Sequence, residues 1–286
     1  MPTHSDLWPG AATPRSAPRA RARESVVVVV PTRNEAATIA PICTALAELR
    51  RAQIVDRVLV VDDSTDETAA RARAAGAEVR AQSSMRPEVG PLRGKGDAMW
   101  RAVASCTEDV VVFVDGDTAN FDSQVVVDLV GAIRDGAAFA KADYRRPWDD
   151  GATRAPTGGG RVTELTAKPL LRQLFPELAA FGQPLAGEIA GRRDLLRTLP
   201  FVTGYGVDVA LLIDAWRAVG FEGLAQVNAA PRQNRHRPLH ELAAMADEVA
   251  AAILDRAGVA GAGEPLIERA PLGGRSPAAE AVAATW

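Results

Sequence analysis

The sequence predicts an α/β protein built on a doubly wound, mostly parallel sheet and completed by a helical C-terminal part. Three observations carry this. Valine-rich runs without polar alternation recur at residues 26–30, 58–61 and 110–114, the pattern of strands buried on both faces. Segments with apolar residues at helical spacing separate them, so the first half repeats β then α. Each run is followed by polar or acidic residues: Pro31 to Glu35, Asp62 to Asp66, and Asp115-Gly116-Asp117. Ligands of open α/β sheets bind outside the carboxyl ends of the strands, so these three stretches are expected to converge on one crevice.

The elements follow in order. Residues 1–24 combine Pro and Ala with four arginines and lack an apolar stretch; they read as a disordered tail, not a secretory signal. The strand at 26–30 stops at Pro31. Ile39, Ile42, Leu46 and Leu49 mark a helix over 35–51, with Pro41 delaying its start or kinking it. The strand 58–61, a helix over 65–75, a short strand at 77–79, a helix over 96–105 and the strand 110–114 complete the nucleotide-binding half, 25–118. In the second half, 119–257, residues 144–160 are rich in Arg, Pro and Gly and read as a long loop. Helices are expected at 164–175, with Pro169 near a break, at 194–199 and at 207–219. A strand is expected at 225–229. Leu242, Met245, Val249 and Ile253 mark a last helix, with Pro238 at its first turn. From 258 to 286 the composition of Ala, Gly and Pro reads as a flexible tail.

The 286 residues, 47% hydrophobic and 24% charged, allow one large domain or two small ones. The net charge of −3 and 5% aromatics argue against nucleic acid or an anionic membrane as a partner. No apolar run approaches a membrane span. Cys43 and Cys106 form neither a metal spacing nor a disulfide framework and read as buried residues of a cytoplasmic protein.

Five constellations carry chemistry. Asp115-Gly116-Asp117 follows a buried strand; two carboxylates around one small residue suit Mg²⁺ or Mn²⁺ bridging diphosphate oxygens. Asp-x-Asp alone also fits an acidic capping turn. Pro31-Thr32-Arg33-Asn34-Glu35 and Asp62-Asp63-Ser64-Thr65-Asp66 can cap helices and can hold a nucleobase and ribose, with Pro31, Arg33, Glu35, Asp63 and Ser64 as candidates. Arg93-Gly94-Lys95-Gly96 lets backbone approach a phosphate beside a cation. It is not a P-loop, because Val89 and Gly96 stand where that motif needs Gly and a hydroxyl. Gly158-Gly159-Gly160-Arg161-Val162-Thr163 suits an anion nest or a solvent loop. Finally, Arg232 to Pro238 holds three arginines and His236, groups that grip phosphate or carboxylate and, for His236, ligate metal.

Taken in order, PTRNE, VVDDSTDET, LRGKGDAMWRA, VVFVDGDTANF, GGRVTELTAKPLL, FGQPLAGEIAGRR, GYGVD and RQNRHRPLHELAAM resemble the glucosyl-3-phosphoglycerate synthases over residues 26–254. Many GT-A enzymes share the first four kinds of motif, and the last four are far more restricted. The resemblance implies a GT-A fold and transfer of glucose from UDP-glucose to the 2-hydroxyl of 3-phosphoglycerate. It also implies retention of configuration, dependence on Mg²⁺ or Mn²⁺, and a homodimer. It implies that Glu35, Ser64, Lys95, Asp115, Gly116 and Asp117 contact UDP, with Asp117 the direct metal ligand. Gly160, Arg161 and Thr163 would hold the acceptor phosphate. Arg145, Tyr205 and Arg237 would hold or order the acceptor. Leu185 and its neighbours to Glu188 would lie beside the donor sugar.

The chain departs from the family pattern in two places. Asn234 stands where the family has a metal-ligating His, and His236 where it has Asn. An amide oxygen still suits Mg²⁺. Asp208 replaces a Glu expected near the sugar hydroxyls, one methylene shorter. These changes keep two other readings open: a related transferase with another nucleotide-sugar or acceptor, and a non-catalytic nucleotide-sugar binding protein.

Overall fold

The computed structural model describes residues 23–149, 154–232, 239–259 and 265–273. In chain order the elements are β1 (Val26–Thr32), α1 (Ile39–Arg51), β2 (Arg57–Asp62), α2 (Thr68–Ala74), β3 (Glu78–Ala81), α3 (Lys95–Ser105), β4 (Val110–Phe113) and α4 (Gln124–Arg134). Then come β5 (Phe139–Asp143), β6 (Pro147–Asp149), β7 (Arg154–Gly158), α5 (Lys168–Leu174), β8 (Ile189–Arg192) and α6 (Arg193–Thr198). The last are β9 (Phe201–Val202), α7 (Val207–Val219), β10 (Leu224–Asn228), α8 (Leu239–Arg256) and β11 (Glu268–Arg269).

Seven strands form the central sheet in the order β10-β5-β8-β4-β1-β2-β3. All neighbours are parallel except β8, which runs antiparallel to both β4 and β5. The expected mostly parallel sheet is therefore present. Alternate valines of each run face opposite sides. Val26, Val28 and Val30 join α1 and α4 in one core; Val27 and Val29 join α3 and α7 in the other. Both cysteines are buried, and burial pushes each thiol up to about 12.

Several expectations are corrected locally. The helix expected from residue 35 begins at Ile39, after a turn in which Glu35 O accepts from Thr38 N and Ile39 N. Pro41 thus falls in the first turn, where its missing N–H removes no bond. The helix expected from 65 begins at Thr68, whose backbone N–H donates to Asp66 at 2.9 Å. The loop expected over 144–160 contains the antiparallel pair β6 and β7. The expected helix over 164–175 opens as a π-helical turn, Thr163–Ala167, before α5, with Pro169 at the second position of the regular part. The tail expected from residue 258 is pinned where it is described: β11 pairs antiparallel with β9, and Trp100 donates to Ala270 O at 2.8 Å. Among the described residues no helix is long and apolar enough to cross a membrane.

Candidate active site

A cavity of about 490 Å³ opens over the carboxyl ends of β1, β2 and β4, within the usual range for small-molecule sites. The crevice expected there is formed. Its first wall comes from the β1 and β2 turns. Asn34, at φ 61°, donates through its backbone N to Ser64 Oγ at 2.8 Å, and its Oδ1 accepts from Thr65 N at 2.9 Å. Ser64 and Thr32 hydroxyls both donate to Asp62 Oδ1, at 2.6 and 2.9 Å. This lattice fastens the two turns together and leaves Pro31, Arg33, Glu35 and Asp63 lining the cavity. Ser64 serves as the clasp and is not part of the lining.

The second wall joins three segments through one lysine. Lys95 begins α3 after Gly94, whose φ of +80° favours glycine. Its Nζ lies 2.8 Å from Asp115 Oδ1 and 2.8 Å from Asp208 Oδ2. Asp115 follows β4, and Asp208 sits in the first turn of α7. Close approach fixes the neighbours. A Cβ on Gly187 would stand 2.2 Å from the Asp115 carboxylate, and one on Gly116 2.8 Å from the Thr32 methyl. Asp117 is exposed to the cavity mouth.

The third wall comes from the glycine-rich stretch read as an anion nest or a solvent loop. Gly159, Gly160, Arg161, Val162 and Thr163 line it together with Arg146 and Pro147. Gly159 N donates to Arg146 O at 3.0 Å, Gly160 has φ +68°, and the Arg161 guanidinium stacks over Trp148 with 5.1 Å to the ring centroid. Leu185 and Tyr205 close the cavity with Leu242, Met245 and Glu248 of α8; Glu248 accepts from Tyr205 N at 2.7 Å. Arg145 lies outside the lining, its side chain exposed, while the next residue, Arg146, turns in. Asn234, His236 and Arg237 lie outside the described residues.

Charge is concentrated beneath this surface. Burial works to raise the Asp115 carboxyl, but Lys95, Arg146 and Arg232 outweigh it and hold the group below its ordinary range. Burial raises Asp208, with Lys95 and Lys141 only partly offsetting it. Burial and the nearby Asp115 raise Glu188. Lys95 is disfavoured by burial yet raised by its two carboxylates. Lys141, wholly buried in β5, donates to Ala186 O at 2.6 Å and Asp208 O at 3.0 Å, and burial lowers it to about 8.

Arg146, Lys141 and Glu248 are not among the sequence candidates, whereas Arg232 and Glu188 enter the sequence reading only as members of the 232–238 run and of the stretch beside Leu185. Arg232 and Glu188, 3% and 1% exposed, approach to 3.1 Å without hydrogen-bond alignment. Arg232 was legible only as one of several arginines in a polar run. For Lys141 and Glu188 the signal is a single charge inside an otherwise apolar strand or strand start.

Among the described residues no group of three or more His, Cys, Asp or Glu side chains is arranged to hold a metal ion by itself. A divalent ion shared with a diphosphate needs only one or two protein carboxylates, the remaining ligands being phosphate oxygens and water. The Asp115-Gly116-Asp117 turn, facing the cavity with two carboxylates, fits that donor set.

Residues 27–184 match the sequence profile of Glycosyl transferase family 2. The chain is 44% identical over 252 residues to a glucosyl-3-phosphoglycerate synthase of Mycolicibacterium smegmatis, covering 87% of this chain and 83% of that one. Its structure is similar to that of glucosyl-3-phosphoglycerate synthase from Mycobacterium tuberculosis in complex with Mn²⁺, UDP-glucose and phosphoglyceric acid. The TM-score is 0.79 at 41% identity, with 87% of this chain and 90% of that one covered. It is also similar to a mannosyl-3-phosphoglycerate synthase from Rubrobacter xylanophilus, with a TM-score of 0.78, 38% identity, and 87% and 88% coverage. A charged cavity at the strand ends, a family profile over more than half the chain and these likenesses agree: the chain is a glycosyltransferase of family 2 and belongs, with its GT-A fold, to the glucosyl-3-phosphoglycerate synthase family.

Proposed function

We propose that the protein transfers glucose from UDP-glucose to the 2-hydroxyl of 3-phosphoglycerate, with Mg²⁺ or Mn²⁺ and with retention of configuration. One observation carries the reading. Lys95, Asp115 and Asp117 line the same cavity as Gly160, Arg161 and Thr163, in a chain 44% identical to a synthase of that name.

Pro31, Arg33, Glu35 and Asp63 hold the uridine. Asp117 and Asp115 hold the divalent ion, which supplies charge neutralisation at the departing diphosphate. Lys95 adds a fixed cation where negative charge develops. Asp208 engages Lys95 and turns its second oxygen, which has no hydrogen-bond partner among the described residues, toward the sugar hydroxyls beside Leu185. Arg146, Gly160, Arg161 and Thr163 bind the acceptor phosphate through charge-assisted and backbone bonds. With Asp208 and Asp115 both engaged by Lys95, neither is placed as a free nucleophile. A front-face transfer follows, in which the leaving phosphate accepts the acceptor's proton. Asn234, His236 and Arg237, which lie outside the described residues, keep the metal and acceptor roles that the resemblance implies.

We further assign the catalytic domain to 25–257, with donor and acceptor halves at 25–118 and 119–257, a homodimer, and a cytoplasmic location. Transfer of a different sugar, from another nucleotide-sugar donor, is the second reading. The shorter Asp208 and the likeness to a mannosyl-3-phosphoglycerate synthase favour it. Competition between UDP-glucose and a nucleotide-mannose, with 3-phosphoglycerate as acceptor, separates the two. Glucosyl product in excess supports glucose, and mannosyl product in excess replaces it.

A further inference from the structure

The stretch before Lys95 is irregular. Arg86, Gly90 and Gly94 all have positive φ, and residues 85–91 expose carbonyl groups that no strand or long helix satisfies. Buried carbonyls need partners, and here two arginines supply them. Arg101, fully buried in α3, donates through Nη1 to Met85 O and Arg86 O, the latter at 2.8 Å, and through Nη2 to Gly90 O at 2.9 Å. Its Nε meets Asp97 Oδ2 at 2.9 Å. The second arginine comes from β11. Arg269 places Nε 2.5 Å from Asp97 Oδ1, Nη1 2.7 Å from Val89 O and Nη2 2.9 Å from Pro91 O.

Asp97 is the hub. It is wholly buried, lies two residues after Lys95 in the first turn of α3, and also accepts from Gln82 Nε2 at 2.8 Å and Arg93 N at 3.2 Å. The same C-terminal segment braces the other side of Lys95. Ile267 O accepts from Thr203 N at 3.0 Å, and Thr203 O in turn accepts from Gly96 N at 3.0 Å. A Cβ on Gly96 would meet Val202 O at 1.8 Å, so α3 is seated hard against this strand. The indole of Trp100 donates to Ala270 O at 2.8 Å and is flanked by the Arg86 and Arg269 guanidinium groups at 5.5 and 5.9 Å.

We propose that Arg269, on the C-terminal strand, is a positioning residue for the donor-diphosphate site: its planar fork locks the 89–91 carbonyls to Asp97 and thereby aims Lys95. This rests on the reading of Lys95 as the diphosphate cation. The three acceptors are met by three separate nitrogens of one rigid plane, and an ammonium, whose three N–H donors radiate from a single nitrogen, does not reproduce that spread.

The test uses the full chain with Mn²⁺ and measures UDP and UMP affinities by calorimetry for wild type, Arg269→Met and Arg269→Lys. The expected result is a loss of about tenfold in UDP affinity in Arg269→Met with UMP affinity within twofold of wild type. Arg269→Lys keeps the charge and is expected to lose UDP affinity by at least about threefold. UDP affinity unchanged in either folded variant overturns the inference, as does an equal loss of UDP and UMP affinity, which marks general destabilisation. If Arg269→Met does not fold, Arg269→Lys is read by the same criteria. A wild-type protein that binds UDP no better than UMP overturns the donor-site reading itself and the inference with it; wild-type preference retained by the variants overturns only the inference.

Discussion

Lys95 sits between two carboxylates contributed by segments more than 90 residues apart, and this arrangement decides how the site responds to substitution and pH. Asp115 is held ionised by the cations around it, so the Asp115-Gly116-Asp117 turn is ready to take a divalent ion. Asp117→Ala is expected to lower metal-dependent turnover by about a hundredfold or more, measured as UDP release; undiminished turnover would remove Asp117 from the metal site. Lys141 gives a pH test. Its ordinary value of 10.5 is lowered by burial to about 8, so between those values the unfolded chain binds more protons than the folded one. The unfavourable contribution of Lys141 is full below about pH 8 and relieved as pH rises toward 10.5. Compared with Lys141→Met, the wild type should therefore gain stability over that window, on the order of 3 kcal/mol, read from denaturant unfolding at pH 7.5, 9 and 10.5 (~1.5-unit steps chosen around the shift). A flat difference would refute the buried charge.

Strand ends and helix starts place the chemistry, and they differ in how plainly the sequence announces them. The runs of valine at β1, β2 and β4 are unmistakable, and with them the Pro31, Asp62 and Asp115 turns. Elements with weaker punctuation are not. Val125, Val126, Leu129, Val130 and Ile133 space α4 as a helix, yet neither α4 nor β5 has a counterpart among the sequence expectations. The apolar pattern of β5 is interrupted by Lys141, whose partners are carbonyls of distant segments. The β6–β7 pair is hidden because Pro and Gly, which signal loops, also occupy edge hairpins. β11 is hidden because two residues carry no periodicity; its pairing with β9 and the partners of Arg269 define it. Glycines test the packing of these elements with opposite signs. Gly96→Ala places a methyl against the Val202 carbonyl and should destabilise by about 1–3 kcal/mol. Gly131→Ala, in α4 with open space around it, should stabilise by about 0.5–1 kcal/mol through helix propensity. Matching unfolding midpoints for the two variants would contradict the seating of α3 on β9.

Across the molecule, a chain of net charge −3 gathers Lys95, Lys141, Arg146, Arg161 and Arg232 around or beneath one cavity. Buried polar atoms without a hydrogen-bond partner among the described residues also collect there, on Arg146, Glu188, Asp208 and Arg232. Such atoms are costly in a folded interior, and their concentration at one place marks where ligand groups complete the structure. Binding should accordingly stabilise the whole fold: UDP with Mn²⁺ at a hundred times its dissociation constant should add about 2.7 kcal/mol in wild type and far less in Asp117→Ala, followed by thermal unfolding. The most direct measurement is UDP release from UDP-glucose with Mg²⁺ or Mn²⁺, with and without 3-phosphoglycerate. Release that depends on the acceptor, with a glucosylated phosphoglycerate as product, is the expected result. No acceptor-dependent release by a folded protein that binds UDP-glucose would contradict the proposed reaction.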